Sequence, residues 1–462
     1  MLRDRYEPMN IFELIPALSL SMEPVLAQLD RLLDDDSLFQ QVKADLAHRF
    51  PQTPSNGRPS TPVEVILRML VVKHLYGWSY AHAEHWVNDS LVLRQFCRVY
   101  LQPVPDDTTL IRWANLIQPD TLHHLLDHVV DLARALKVTR GRKLRIDGTV
   151  VETNIHYPTD STLLGDGVRV LSRTLKRAQQ VVGDVTQLGR EVFRDRTRSA
   201  KRQVRRIQEA ARQRGEQAEQ RMRTAYRRLL TTARATLTQA QQVSAALKQQ
   251  AGQAADRLVE SLNQVIPLVE RVISQTRRRV LQAESVPAAE KVVSLFEPHS
   301  AIIRKGKLEH PTQFGRAIWL SEVEGGIISR YAVLTGNPPD AEQLKPSLEH
   351  HLEVFEHPPD LLAGDRGLHS AANEAYAQAQ GVKQVVLPKP GFKSAERIAH
   401  EKQSWFRRGC HWRSGIEGRI SVLKRRHQLA RCLYQGEAGM ERWVGWGVIT
   451  QDLWVIAQAT AH

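Results

Sequence analysis

The chain changes its hydrophobic spacing twice, and the segment between the two changes restricts its possible folds more than any other feature. Residues 143–154 alternate apolar and polar side chains and are rich in β-branched residues, which predicts a strand. Residues 164–285 are rich in Ala, Gln and Arg, and their apolar side chains recur mostly at steps of three and four. This spacing predicts long helices that pack on each other, with a chain reversal near Gly252. A long helical arm therefore separates the first strand from the strands that follow.

Strand patterns return after Pro287. The strand-like segments are residues 313–320, 326–334, 359–364 and 382–387, of which the first two flank a short polar turn as in a hairpin. Helical patterns cover residues 340–355, 370–380 and the chain from about Ala395 onward, and Ser370 is a candidate cap for the second of these helices. This order predicts an α/β domain with a mixed sheet flanked by helices, interrupted after its first strand by the inserted arm.

The chain before about residue 138 carries only helical patterns. Thr61 followed by Pro62 predicts the start of a largely apolar helix that ends at Gly77, and short helices are predicted at 80–88, 90–97, 107–116 and 120–136. A plain helical bundle and a DNA-end-binding domain explain this segment equally well. The predicted domains are therefore a helical domain (1–138), the first part of the α/β core (139–163), the helical arm (164–285) and the second part of the core (286–462).

The positive charge of the chain is concentrated in the helical arm. Lys and Arg number 64 against 50 Asp and Glu, a formal charge of +14. Residues 164–285 contain 25 Lys and Arg and 11 Asp and Glu, so the rest of the chain is neutral overall. A basic helical surface of this kind either faces solvent or contacts a polyanion, and phosphate backbones bind such a surface without sequence preference.

Other classes of protein are disfavoured by the sequence. The most apolar tract, residues 443–461, is interrupted by Thr450, Gln451 and Asp452, which argues against a membrane-spanning helix. The first residues are too charged for a signal peptide, so we expect a cytoplasmic protein. The three cysteines form no Cys-x-x-Cys pair, which argues against a disulfide framework and a structural zinc site.

Acidic residues at three positions could carry chemistry. Asp147 lies within the first strand, Asp365 follows the strand at 359–364, and Glu417 lies in a helix predicted to start near His411. Open α/β sheets place their ligands at the carboxyl edge, where Asp365 is expected. Each residue alone also has an ordinary explanation: an Asp-Gly turn, a helix cap or a solvated glutamate.

The helix of Glu417 places two cations beside its carboxylate. At 100° per residue, Arg413 and Lys424 fall within about 40° and 20° of Glu417. Ile416, Ile420 and Leu423 form a neighbouring apolar stripe. This stripe would seat the helix against the sheet. The arrangement fits a metal site that contacts phosphate, but also an ordinary ladder of ion pairs. The basic run from Lys424 to Arg426 favours phosphate.

These motifs together resemble the bacterial DDE insertion-sequence transposases, which have an RNase H-like catalytic core. Arg413, Glu417 and Lys424 have the spacing of that family's C-terminal signature, and Ile-Asp147-Gly-Thr and Ala-Gly-Asp365-Arg-Gly are similar to the segments around its first and second catalytic aspartates. Lys305-Gly-Lys307, Phe314-Gly315 and Gln435-Gly436 also look like the family. The chain departs from it at Cys410, where Tyr is frequent, and at Gln451-Asp452, where Asn is expected.

The resemblance implies a function and a set of roles. Asp147, Asp365 and Glu417 would be catalytic and would bind Mg²⁺, with Mn²⁺ as a substitute, for two-metal chemistry at phosphodiesters. The enzyme would cut the ends of a transposon and join the 3′-hydroxyls to target DNA. Its partner would be double-stranded DNA, bound by a homodimer or a larger synaptic complex. The residues expected to contact DNA are Arg413, Lys424, Arg425, Arg426, Lys305 and Lys307.

Two other functions remain open at this stage. One is a metal-dependent nuclease on the same fold that cuts without joining. The other is a relic that binds DNA without catalysis, which the intact set of Asp147, Asp365 and Glu417 argues against.

Overall fold

The computed structural model describes residues 3–6, 22–47, 60–182, 190–250, 252–304 and 312–461. The chain divides into two compact units, one formed by residues 1–152 and 316–462 and the other by residues 153–315. The described residues form a mixed α/β protein with a mixed sheet and mostly helices.

The first unit begins with short helices. They are α1 Pro24–Leu32, α2 Asp36–Ala47, α3 Val63–Leu75, α4 Tyr80–Asp89, α5 Leu91–Phe96, α6 Asp107–Ala114 and α7 Pro119–Ala135. The helices predicted between residues 80 and 136 are confirmed to within two residues. Asp106 caps α6, since its carboxylate accepts the N–H of Thr109 at 2.6 Å. Thr61 was expected to start α3, but the helix begins at Val63 without a side-chain cap.

The second unit contains the long helices. They are α8 Asp160–Val182, α9 Thr197–Ala210, α10 Glu216–Leu247 and α11 Gln253–Thr276. They pack on each other around an apolar core that includes Leu171, Leu229 and Leu262. The exposed faces of α9 and α10 carry many arginines, so the apolar spacing of the sequence separates a core face from a basic face.

The strands are β1 Lys143–Thr153, β2 Ala301–Ile303, β3 Gln313–Val323, β4 Ile328–Leu334, β5 Leu361–Ala363, β6 Gln384–Val386 and β7 Arg431–Cys432. Within the first unit the order is β3-β1-β5-β6, with β4 paired to β3 and β7 paired to β1. β1, β5 and β6 are parallel, whereas β3 and β4 form the predicted antiparallel hairpin. In the second unit, β2 pairs with the first residues of β3.

The sheet is flanked by the remaining helices of the first unit. They are α12 Leu344–Phe355, α13 Ala371–Ala379, α14 Ala395–Lys402, α15 Ser404–Arg426 and α16 Glu437–Thr460. Ser370 caps α13 as predicted, because its hydroxyl accepts the N–H of Asn373 at 3.0 Å. α15 begins at Ser404 rather than near His411, since Phe406 and Gly409 extend its buried face toward the amino end.

α16 is the central helix of the first unit. It packs against α1, α3, α7 and β4 and is buried over most of its length. Asp452 on this helix is fully buried, and both oxygens of its carboxylate accept the N–H of Ile328, at 3.0 and 3.1 Å. Burial raises the pKa of Asp452 well above its ordinary value. Among the described helices, including α16, none combines the length and apolar character that crossing a membrane requires.

An aromatic cluster fastens the N-terminal helices to α16. The ammonium of Lys73 on α3 lies over the rings of Tyr80, Trp443 and Tyr434, at 4.8, 5.1 and 5.2 Å. The ring faces favour the charged amine. Burial acts in the opposite direction and lowers the pKa of Lys73 to about 7, a shift that the nearby Cys432 thiol opposes. Lys73 therefore loses its proton in the native state far below the pH at which it does so in the unfolded chain.

This burial predicts a pH-dependent stability. Above pH 7 the unfolded chain holds a proton on Lys73 that the native state has released, so the free energy of unfolding should rise with pH until the unfolded lysine also titrates. The expected contribution is about 1.4 kcal/mol per pH unit, or about 2 kcal/mol between pH 7.5 and pH 9. Urea unfolding at both pH values should show this rise, and Lys73→Met should remove it. An equal pH dependence in both proteins would contradict the assignment.

Candidate active site

Asp147 and Asp365 lie at the same level of neighbouring parallel strands. The register of β1 and β5 pairs Lys143 with Leu361 and Arg145 with Ala363. Continued by two residues, it places Asp147 opposite Asp365 on the same face of the sheet. Neighbouring strands lie about 4.8 Å apart. Asp147 Oδ1 accepts a hydrogen bond from the backbone N–H of Gly148 at 2.8 Å, and Asp365 Oδ1 accepts one from the backbone N–H of Gly367 at 3.0 Å. The two carboxylates thus come from adjacent strands where β5 ends.

Glu417 reaches this region from α15. Ile416 and Leu423 are buried beneath the helix, as the apolar stripe predicts, and Ile420 is partly buried. The Glu417 side chain is 65% exposed, so packing alone does not fix its direction.

Arg413 joins the carboxylates of Asp147 and Glu417. Its Nη2 donates to Asp147 Oδ2 at 2.7 Å, and its Nη1 donates to Glu417 Oε1 at 3.0 Å. Arg413 and Asp147 are mostly buried, with side chains 20% and 14% exposed. One guanidinium therefore holds a strand carboxylate and a helix carboxylate side by side. The pairing of Arg413 with Glu417 belongs to the predicted stripe, but its contact with Asp147 was not anticipated.

A second ion pair fastens α15 to the sheet beside this contact. Arg145 forms a bidentate pair with Glu322 on β3, at 2.9 and 2.7 Å, and Glu322 is fully buried. The same guanidinium donates to the backbone carbonyl of Trp412 at 2.5 Å and lies over its indole ring. A side chain at Gly415 would collide with the Arg145 guanidinium and displace it from its present position. β1, β3 and α15 are thus tied together next to Asp147.

Sequence reasoning did not identify this second pair. Arg145 and Asp147 stand two residues apart on one face of β1, and that alternation was the available signal. The partner Glu322 is 177 residues away in sequence, beyond the inserted arm, and nothing in the local pattern identifies it.

The remaining residues expected to contact DNA have different environments. Arg425 is exposed, whereas the Arg426 guanidinium lies 3.7 Å from the ring centre of Trp454, and burial lowers the pKa of Arg426. Lys424 is partly buried. Lys305 and Lys307 lie outside the described residues. Of the basic run on α15, Arg425 is therefore the side chain most open to a ligand.

The acidic residues do not form a closed metal cage. Across the described ranges, no three His, Cys, Asp or Glu side chains converge closely enough to hold a metal ion. The donor chemistry nevertheless fits a hard divalent cation, since carboxylate oxygens are its preferred ligands. The position between Asp147 and Glu417 is taken by the Arg413 guanidinium, which supplies a positive charge there.

A separate cleft lies at the other end of the parallel strands. It has a volume of about 390 Å³ and is lined by residues that include Lys143, Leu361, Gln384, Trp405 and Trp412. These residues stand at or near the amino ends of β1, β5 and β6 and on the first turns of α15. None of the cleft's lining residues is Asp147, Asp365 or Glu417, so this cavity is distinct from the carboxylate region.

The Arg145–Glu322 pair should contribute strongly to stability. Glu322→Gln removes the charge that compensates a largely buried guanidinium and should lower the free energy of unfolding by about 3 kcal/mol. The matched control is Arg431→Ala, which breaks the exposed Arg431–Glu152 pair at the same strand and should cost less than about 1 kcal/mol. Urea unfolding measures both. Equal losses in the free energy of unfolding for the two substitutions would show that the buried Arg145–Glu322 pair contributes no more to stability than the exposed pair.

Comparison with known proteins matches one part of the chain. Residues 17–116 match the family described as Transposase domain (DUF772). No curated protein and no solved structure matches the chain. The match covers much of the N-terminal helical region and ends before β1 begins. It supports a transposase as the class of protein to which this chain is similar.

Proposed function

We propose that this protein is a DDE transposase with an RNase H-like catalytic core, which cleaves the ends of a transposable element and joins the 3′-hydroxyls to target DNA. The observation that carries the proposal is the meeting of Asp147 and Glu417 at Arg413, one strand away from Asp365 at the same level. The transposase-domain match over residues 17–116, in a different part of the chain, supports the transposase class.

Asp147, Asp365 and Glu417 would hold divalent metal ions, which would be Mg²⁺ or, as a substitute, Mn²⁺. When bound, such ions activate a water or 3′-hydroxyl and stabilise the departing oxygen at a phosphodiester. The residues of the chain contribute position. The Arg145–Glu322 pair fixes α15 against β1, and Arg413 holds the otherwise exposed Glu417 toward Asp147.

The cations of α15 would orient DNA. Arg425 is exposed one residue beyond Lys424, on the helix that carries Glu417, and can meet a phosphate there. Lys424 would contact the same strand, and Arg413 would exchange a carboxylate for a phosphate when DNA arrives. Such contacts lower the barrier by holding the scissile phosphate in place.

The basic faces of the long helices would supply the non-specific grip on DNA. Lys201, Arg202, Arg205 and Arg206 on α9 are exposed, and a cleft of about 410 Å³ that is lined by Arg206, Arg221 and Arg228 lies between α9 and α10. Counterion release from DNA would make binding by this surface strongly dependent on salt. A dimer or larger complex would bring two element ends together.

Charge-removing substitutions at the carboxylates test the proposal. Asp147→Asn, Asp365→Asn and Glu417→Gln should each abolish nearly all cleavage of duplexes taken from the ends of the surrounding element. DNA binding should remain close to that of the wild type, because the basic helical surface is unchanged. Glu152→Gln is the matched control, since Glu152 lies on β1 with its side chain 32% exposed and pairs with Arg431 outside the carboxylate region.

The products of this assay separate the competing functions. Joined products in the wild type with Mg²⁺ support a transposase, and cut products without joining identify a nuclease. A wild type that binds DNA but neither cuts nor joins it is the inactive relic. Cleavage by one of the three variants at the wild-type rate would remove that residue from the active site.

A further inference from the structure

A short turn presents an unusually exposed aromatic side chain. Phe392 is 91% exposed, the largest fraction among the big apolar side chains of the described residues. It lies between β6 and α14, in the sequence Lys389-Pro-Gly-Phe-Lys393, which we name the Phe392 turn. Single exposed apolar residues are common. Whether the exposure of Phe392 has a function depends on how the Phe392 turn is anchored and on its position relative to the carboxylates.

The base of the turn is fixed by the carboxylate of Glu401 on α14. Glu401 accepts the backbone N–H of Lys389 at 2.9 Å, the Lys393 ammonium, and Nε of Arg397 at 2.8 Å. Burial alone would raise the pKa of Glu401, but these hydrogen bonds outweigh it and lower the pKa to about 2. The anchor is therefore charged at neutral pH, and both ends of the turn are tied to α14.

The tip of the turn stands clear of the protein. Gly391 has a φ of 68°, which favours glycine, and an added side chain there would meet nothing within 4 Å. Phe392 therefore projects from a fixed base instead of folding back on the surface.

The turn stands at the same edge of the sheet as the catalytic aspartates. β5 and β6 are parallel, with Ala363 opposite Val386, so the continued register places Pro388 level with Asp365. Phe392 follows Pro388 by four residues, a reach of at most about 14 Å along the chain. At about 3.4 Å per base pair, this corresponds to roughly four base pairs of DNA.

The charge around the turn favours a nucleic-acid partner over a protein partner. From Lys389 to Lys402, the end of α14, the chain has four Lys and Arg against two Glu. Lys393 and Arg397 are paired with Glu401, and Lys402 is exposed. A positive surface with one projecting aromatic ring suits a DNA strand, because cations meet the phosphates while the ring stacks on a base. Proteins that kink DNA insert apolar side chains between base steps in this way.

We propose that Phe392 is a wedge that stacks on a base of the bound DNA and unstacks a base step beside the scissile position. This inference rests on the proposed function, because it requires DNA at the edge that carries Asp147 and Asp365. It assigns Phe392 a positioning role, which sequence reasoning did not identify.

The test compares two duplexes of one arbitrary sequence, about 30 base pairs long, in EDTA so that no cleavage occurs. One duplex is fully paired and the other contains two unpaired nucleotides, where the unstacking that a wedge requires is already present. Fluorescence anisotropy measures both affinities. The wild type should prefer the unpaired duplex by about fivefold or more, from the strength of base–aromatic stacking.

The variants separate stacking from other causes. Phe392→Ala should lose the preference and Phe392→Trp should keep it. Leu136→Ala should also keep it, because Leu136 is 45% exposed but lies at the carboxyl end of α7, outside the Phe392 turn. Circular dichroism and light scattering check folding and oligomeric state.

The outcomes distinguish the wedge from the proposed function. Equal wild-type binding to both duplexes, a preference that survives in Phe392→Ala, or an oligomeric state that changes in Phe392→Ala while the preference stays, would overturn the wedge alone. If the wild type bound neither duplex at low salt, the proposed function would fail together with the wedge.

Discussion

The pair of ion bridges made by Arg413 is the interaction on which the candidate site depends. Glu417 is largely exposed on its helix, and Asp147 is mostly buried on a strand. With neither the Arg413 guanidinium nor a bound metal ion between them, two carboxylates so close would repel each other, and Glu417 would extend into solvent. The guanidinium of Arg413 converts that repulsion into two attractive contacts and so brings together residues 270 positions apart in sequence.

The Arg413 contacts require a fixed helix, and the structure fixes it by independent means. The buried stripe of α15 seats it on the sheet, and Arg145 ties the backbone of Trp412 to Glu322. Removing either Arg145 or Glu322 would leave the other as an uncompensated buried charge, so both residues are needed to hold α15 against the sheet. Elsewhere in the first unit, the rings around Lys73 and the buried Asp452 attach α16 to α3 and β4. The helical and α/β parts of this unit therefore share one core.

Much of the fold could be predicted from local patterns, because period-two and helical spacings are written in neighbouring residues. The strand at 143–154 is β1, the hairpin is β3 with β4, and the cap at Ser370 is confirmed. The predicted start of α15 near His411 was wrong, since Trp405 and Phe406 continue the apolar face of the helix toward Ser404, before the motif that contains Arg413 and Glu417. Long-range contacts such as Arg145–Glu322 and Arg413–Asp147 could not be predicted, because each depends on how distant segments pack.

In the candidate site, too, the local features could be predicted from the sequence and the long-range ones could not. The spacing on one helix predicted that Arg413 and Glu417 would be neighbours, and the placement of Asp365 after a strand predicted its edge of the sheet. The exposure of Phe392 and its anchoring by Glu401 depend on a turn whose conformation the sequence pattern does not specify. The metal-binding and DNA-contact roles of these residues stay predictions.

We infer that Asp147, Asp365 and Glu417 form one carboxylate site in which Arg413 occupies the place of a cation. Calorimetric titration of Mn²⁺ into the DNA-free protein tests this claim directly, with wild type, Arg413→Gln and the Arg413→Gln/Asp147→Asn double variant. Removing the guanidinium should raise Mn²⁺ affinity severalfold, because the carboxylates lose a competing positive charge. The double variant should lose that gain. Mn²⁺ affinity that is unchanged or weaker in Arg413→Gln, or equal in the single and double variants, would show that Arg413 does not occupy a cation site between these carboxylates.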